Sequence, residues 1–231
     1  DRPLNAETPV HLLDDEITPT HRLFVRNNGI IPPLAYTNAS NTWKLSIDGE
    51  IKKKLSLSIK DLITKFKLHS LSLILECGGN GRAGYYPPTP GNQWTYGAAG
   101  CPLWHGFLLK DILTYAGIKN SAKFVAYYSH DIHLSGIADK TVISRGVPIQ
   151  KALEETTLIA IGMNNKPLSP LHGYPARLVC PGFPASASGK WLKRLWVRDR
   201  VHDGEKMTGS AYRVPSEPVA PGKQPPKEAK W

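Results

Sequence analysis

The 231-residue sequence is poor in cysteine, with Cys77, Cys101 and Cys180 as its only thiols. Three isolated cysteines cannot build the dense disulfide framework of a small secreted scaffold, and none has the paired spacing of a structural zinc site. No Cys-x-x-Cys-His occurs, which excludes a covalently attached haem within this sequence. Cys101 and Cys180 remain open between a mutual disulfide and two buried free thiols. Long hydrophobic runs are missing too. No stretch approaches the roughly 20 apolar residues of a membrane-spanning helix, so no membrane segment is expected. The sequence opens with Asp and carries no apolar leader, the pattern of a mature or trimmed chain. No internal repeat is present. Acidic residues are the scarcer charge, 19 against 29 Lys and Arg.

The resulting net charge of +10 suits nucleic acid, an acidic protein partner or a small anionic substrate. Nucleic acid is the weakest of these. The lysines are scattered apart from Lys52-Lys53-Lys54, and no recognition motif accompanies them. Periodicity predicts a mixed α/β chain in short elements. Trp43, Leu45 and Ile47 alternate into Asp48-Gly49, a hairpin signal. Ser58 caps a short helix carrying Ile59, Leu62, Ile63 and Phe66 on one face. Residues 71–76 read as a buried strand, and 107–116 as an amphipathic helix with Gly117 just past its end. Strands are expected over 124–128, 158–162, 177–180 and 192–197, with a short helix over 149–153. Residues 78–104 and 199–218 lack regular pattern, and loops of such length in a compact domain are usually functional. The Pro- and Lys-rich stretch 218–231 reads as an extended linker.

Chemistry shows first at Leu75-Glu76-Cys77-Gly78-Gly79-Asn80-Gly81-Arg82. A β-prone run delivers a lone thiol to a loop whose glycines let the backbone approach a bulky ligand. A guanidinium five residues later favours the thiolate, the form that binds a soft metal. This run resembles the cysteine loop of the sulfite oxidase family of molybdopterin enzymes. Further stretches agree in order along the chain. Asn5-Ala6-Glu7-Thr8-Pro9 with Ile17-Thr18-Pro19 is similar to the family's entry segment, and Leu23-Phe24-Val25-Arg26-Asn27-Asn28 to its first pterin and substrate segment. Pro167-Leu168 with His172-Gly173-Tyr174-Pro175-Ala176-Arg177 resembles the second, and Gly189-Lys190-Trp191-Leu192 the third.

The resemblance implies an α+β, sulfite oxidase-type molybdopterin-binding catalytic fold of mixed sheets and short helices over residues 1–217. The 218–231 linker would then lead to a C-terminal dimerisation domain absent here, through which a homo-oligomer could form. It implies molybdenum-molybdopterin as cofactor, with Cys77 as the single protein ligand to the metal. The reaction would be oxidation of sulfite to sulfate, with electrons leaving one at a time to an external acceptor such as a c-type cytochrome. Arg26 and Arg82 would bind the oxyanion, because a guanidinium fork matches several oxygens at once. Tyr212 would be the active-site tyrosine, with Tyr96 and Tyr174 as rivals. Phe24, Asn27, Asn28, Asp131, His172, Arg177, Ser188, Gly189 and Lys190 would hold the pterin or its phosphate. Asn28 is a departure, since many relatives carry His there. Other molybdopterin chemistry on the same fold is the alternative: oxidation of sulfane or thiosulfate-derived sulfur, or reduction of a sulfoxide or nitrate. A cofactor-free scaffold or electron-transfer adaptor is the non-enzyme alternative. A periplasmic location follows from the resemblance.

Overall fold

The computed structural model describes residues 3–208, 217–220 and 223. Its strands in chain order are β1 (Asn5–Ala6), β2 (Val25–Arg26), β3 (Lys44–Gly49), β4 (Leu55–Ser58), β5 (Leu68–Ser72), β6 (Leu75–Glu76) and β7 (Ala99–Gly100). They continue with β8 (Leu103–Leu108), β9 (Phe124–Ser129), β10 (Gly146–Pro148), β11 (Leu158–Met163), β12 (Lys166–Pro167), β13 (Arg177–Val179) and β14 (Leu192–Arg198). Three short helices interrupt them: α1 (Ile59–Lys65), α2 (Leu109–Ala116) and α3 (Ile149–Ala152). This is the expected α+β architecture.

Two five-stranded sheets dominate. The first runs β10-β9-β14-β3-β4, antiparallel except for the parallel β14–β3 pair. The second runs β12-β11-β8-β5, with β13 also paired to β11. The period-two alternation of a strand sorts side chains between two cores. Leu45 and Ile47 of β3, Leu195 and Val197 of β14, and Phe107, Ile159 and Leu178 of the second sheet share one core with α1 and α2. Their strand neighbours Trp104, Leu108, Leu158, Ala160 and Val179 face the opposite way, into a second core with Leu23, Phe24, Leu75 and Trp94. The second sheet is therefore covered on both faces, and Leu158-Ile159-Ala160-Ile161 reads as an unbroken apolar run for that reason. The second core is the floor beneath the loops discussed below.

Local expectations fared unevenly. Ser58 caps α1 through a reciprocal pair with Asp61, as its position suggested. Ile63 does not join the buried face, being 58% exposed. Asp48 and Gly49 are not a tight turn but the end of β3, paired with Trp196 and Val197 of β14. Residues 71–76 do not form one buried strand. They split into the half-exposed edge strand β5 and the two-residue β6, which belong to different sheets. The helix expected at 107–116 starts only at Leu109, because Phe107 and Leu108 are held in the β8–β11 ladder. Gly117 does end that helix, at φ 73°. All three cysteines are free, and Cys180 is fully buried.

Candidate active site

Segments distant in sequence line one cavity of about 1520 Å³. That exceeds the roughly 300–1,000 Å³ of an ordinary small-molecule site and leaves room for a large cofactor plus a small anion. Every site residue expected from the sequence except Tyr212 lines it. Tyr212 lies outside the described residues. Its rivals do not line the cavity: Tyr96 is exposed, and the Tyr174 hydroxyl accepts from Ser40 N at 3.3 Å.

Cys77 follows β6, whose ladder with β7 is continued by Cys77 N donating to Ala98 O at 2.9 Å. Asn80 clamps the turn beyond it. Its Nδ2 donates to Glu76 Oε1 at 3.0 Å, and its Oδ1 accepts from Ala98 N at 3.0 Å. The loop glycines make room for Arg82. A Cβ at Gly91 would fall 1.9 Å from Arg82 Nη1, and one at Gly79 2.7 Å from Nη2. The guanidinium thus lies between two bare backbones and donates to Asn92 O at 3.4 Å.

Arg26 is oriented from two sides. Asn5 Oδ1 accepts from both Arg26 Nη1 (3.2 Å) and Asn27 N (2.9 Å), while Asn28 Oδ1 accepts from Arg26 Nη2 at 3.1 Å. Asn28 therefore braces the arginine through an acceptor that a protonated imidazole would lack. Glu7 ties the entry segment to the opposite loop by accepting from Thr95 N at 2.9 Å and Gly97 N at 3.0 Å.

β13 alternates Arg177 and Val179 away from the sandwich core that takes Leu178, which places the Arg177 guanidinium 5.0 Å from the Trp104 ring centre. Arg177 is buried and donates to His172 O at 3.1 Å and Ser188 O at 3.0 Å. Burial lowers its pKa to about 10. Lys190 donates to Asn27 Oδ1 and to Leu171 O, and its ammonium sits 4.6 Å from the Trp191 ring centre. Enclosure first, and then the Arg177 charge, hold that ammonium well below the ordinary lysine range. The same two causes, burial and nearby Lys190 and Arg177, push His172 down to about 3, so its ring is neutral at physiological pH. Asp131 moves the other way, raised by burial to about 6 against the pull of Lys190 and Lys206.

Among the described residues, none of Arg26, Arg82, Arg177 and Lys190 takes part in an ion pair. Four cations gathered without carboxylate partners are the signature of a site whose counter-charge comes from a ligand. Among the described residues, the buried lining atoms with no hydrogen-bond partner include Asn27 Nδ2, Asn92 Nδ2, Ser129 Oγ and Ser186 Oγ. Each costs about 1–3 kcal/mol if left unmet. A polar, anionic heterocycle with a phosphate satisfies both deficits, and Cys77 is the one thiol among the lining residues, which suits a metal that brings its own sulfur ligands. The donor set fits a molybdopterin.

Trp94, Asn92, Ser129, Arg145, Ser186 and Lys206 also line the cavity and were not singled out from the sequence. Ser186 had a signal in Ala185-Ser186-Ala187-Ser188, small residues leading into the lysine loop. Arg145 and Lys206 had none, because each is a lone cation between unremarkable neighbours.

Two buried histidines set an acid limit on the fold. His202 is pushed down to about 4 by burial and then by Arg198, with Asp203 and Ser144 opposing, while His172 lies near 3. Both folded values are below the 6.5 of the unfolded chain, so the unfolded state takes up protons first as pH falls. Stability is expected to decline from about pH 6.5 downward, measured as a Tm that falls steadily toward pH 5. His202→Gln should remove part of that slope, and a pH-independent Tm over this range would contradict the assignment.

Comparison with known proteins identifies the family. The family model described as the oxidoreductase molybdopterin binding domain matches residues 31–206, well over half of the chain. The nitrate reductase [NADPH] of Mycosarcoma maydis is 35% identical over 215 residues, covering 86% of this chain and 22% of that protein. The sulfite oxidase of Gallus gallus is 31% identical over 202 residues, covering 85% of this chain and 43% of that protein. The solved structure of the sulfane dehydrogenase SoxCD from Paracoccus pantotrophus superposes with a TM-score of 0.69 at 29% identity, over 84% of this chain and 46% of that one. The chain spans less than half the length of each of these relatives. The span matched by the family model, the sulfite oxidase relatives and the superposition place the chain in the sulfite oxidase family of molybdopterin oxidoreductases, with molybdenum-molybdopterin as cofactor.

Proposed function

We propose that the chain oxidises sulfite to sulfate and passes the electrons one at a time to an external acceptor, most simply a c-type cytochrome. The observation that carries this reading is the set of cations, without ion-pair partners among the described residues, that shares a cavity with Cys77. Sulfite and water give sulfate, two protons and two electrons. The bound cofactor supplies the oxygen-atom transfer and the two-electron redox capacity. The protein supplies position and charge. Cys77 provides the thiolate that holds the metal. Arg82, free to approach between Gly79 and Gly91, and Arg26, braced by Asn5 and Asn28, grip the oxyanion. Arg177, Ser188, Gly189 and Lys190 form the phosphate end, and His172, Asn27, Phe24 and Asp131 the pterin wall. Asp131, with its pKa near 6, is able to accept a hydrogen bond or a proton near neutral pH. The net charge of +10 favours capture of the anion and of an acidic acceptor face.

The test is steady-state turnover of the molybdenum-loaded protein with sulfite, using cytochrome c or ferricyanide as acceptor. Reduction of the acceptor by sulfite supports the reading. No reduction by sulfite, with turnover of a sulfane-sulfur compound or of nitrate under reducing conditions, would replace it. Within this reading Arg82→Gln removes a charge-assisted contact of about 1.5–3 kcal/mol. It should raise the sulfite KM about 10- to 150-fold with a smaller change in kcat. An unchanged KM would put Arg82 outside the substrate pocket.

A further inference from the structure

Lys206 is held by its backbone in a way that calls for a reason. Its φ is 62°, a left-handed conformation that L side chains adopt at a cost. Such strain persists only where the surroundings over-determine it. Here they do. Met207 N donates to Gly204 O at 2.9 Å and closes the turn. Ser144 N donates to Glu205 O at 2.9 Å, and Arg145 Nη1 to Lys206 O at 2.8 Å, docking the turn on the chain next to β10. Beneath it lies the buried His202, whose Nε2 is 2.8 Å from Ser144 Oγ and whose Nδ1 is 3.0 Å from Arg198 Nη1. Gly204 rests directly on that ring, because a Cβ there would fall 2.2 Å from His202 Nε2.

This anchoring delivers a half-buried ammonium to the cavity wall. Burial and the Arg26 charge disfavour its protonated form, with Glu205 and Asp131 offsetting part of the effect. Lys206 joins no ion pair among the described residues. The wall thus holds a further cation close enough to Arg26 to repel it, a cost that an anion between them reverses.

We propose that Lys206 is part of the oxyanion pocket and that its charge makes the pocket prefer a doubly charged oxyanion over a singly charged one. The inference rests on the reading of this cavity as an oxyanion site. A fixed positive charge attracts a dianion twice as strongly as a monoanion at the same distance. Sulfate carries two charges and nitrate one, and the relatives described above include both sulfite oxidases and nitrate reductases. Local charge is therefore one way a shared cavity distinguishes their ligands.

The experiment measures sulfate and nitrate binding to the molybdenum-loaded protein by isothermal titration calorimetry, in the wild type, Lys206→Met and Lys206→Arg. The wild type should bind sulfate more tightly than nitrate. Lys206→Met should weaken sulfate about tenfold and nitrate about threefold, so that the preference falls about threefold, while Lys206→Arg should restore it. Equal weakening of both anions, or no change in either, overturns the proposal. If Lys206→Met loses its folded melting transition, Lys206→Gln reads the same ratio by the same criteria. The two readings fail separately. A wild type that oxidises no sulfite but shows a Lys206-dependent sulfate preference sinks the sulfite assignment and keeps this one. Sulfite turnover with a preference indifferent to Lys206 does the reverse.

Discussion

Cys77→Ser is expected to lower turnover by about a thousandfold or more, equivalent to about 4 kcal/mol of barrier, without a matching loss of folding stability. The two side chains are nearly isosteric, and the position is held by the backbone: Cys77 N donates to Ala98 O, and its carbonyl accepts from Asn80 N, each at 2.9 Å. Neither contact needs sulfur. The chemistry does, because a hydroxyl is a hard, weakly acidic donor and a thiolate a soft, anionic one. Metal analysis alongside kinetics separates two outcomes within the prediction, loss of molybdenum or retention of an inactive centre. Retained activity would refute the assignment of Cys77 as ligand. The other two thiols cannot substitute. Cys180 is pushed up to about 12 by burial, and neither it nor Cys101 lines the cavity.

The second large effect is structural. Gly49→Ala should cost about 3 kcal/mol, because it combines a backbone clash with a conformation that disfavours any side chain. Gly49 sits at φ 97°, and a Cβ there would fall 2.0 Å from Val197 O, a backbone atom that cannot rotate away. The contact lies where β3 pairs in parallel with β14, the strand that leaves the lysine loop at Lys190 and Trp191. For a chain of this size the loss corresponds to a Tm drop of about 6–12 °C. Cofactor retention should fall with it as the base of the lysine loop loosens. A Tm within about 2 °C of the wild type would mean that β14 moves aside at little cost, contrary to a close-packed interior.

Much of the site was legible because its chemistry is concentrated in short runs. The Cys77–Arg82 loop and the Gly189–Lys190 loop carry their meaning locally, since glycine, a lone thiol and a cation within a few residues have few structural uses together. The strands over 124–128, 158–162 and 192–197 were equally plain from β-branched and aromatic composition. Errors arose where tertiary pairing overrode a local signal. Asp48-Gly49 has turn chemistry, but the parallel partner β14 captures it as strand. Phe107 and Leu108 continue a helical pattern, but the β8–β11 ladder pulls them into the sheet. Residues 71–76 look like one apolar strand, yet the chain changes sheets within them.

The sequence by itself determined the family, the cofactor and twelve of the residues that line the cavity, because those depend on residue types at short spacing. The tertiary structure alone decided which cations lack ion-pair partners among the described residues, that Gly79 and Gly91 flank Arg82, that Asn28 braces Arg26, and that Arg145 and Lys206 belong to the same wall. Such facts have a common physical reason. Coulomb interaction and steric exclusion act over a few ångströms through space, and the residues concerned lie up to 180 positions apart along the chain, as Arg26 and Lys206 do.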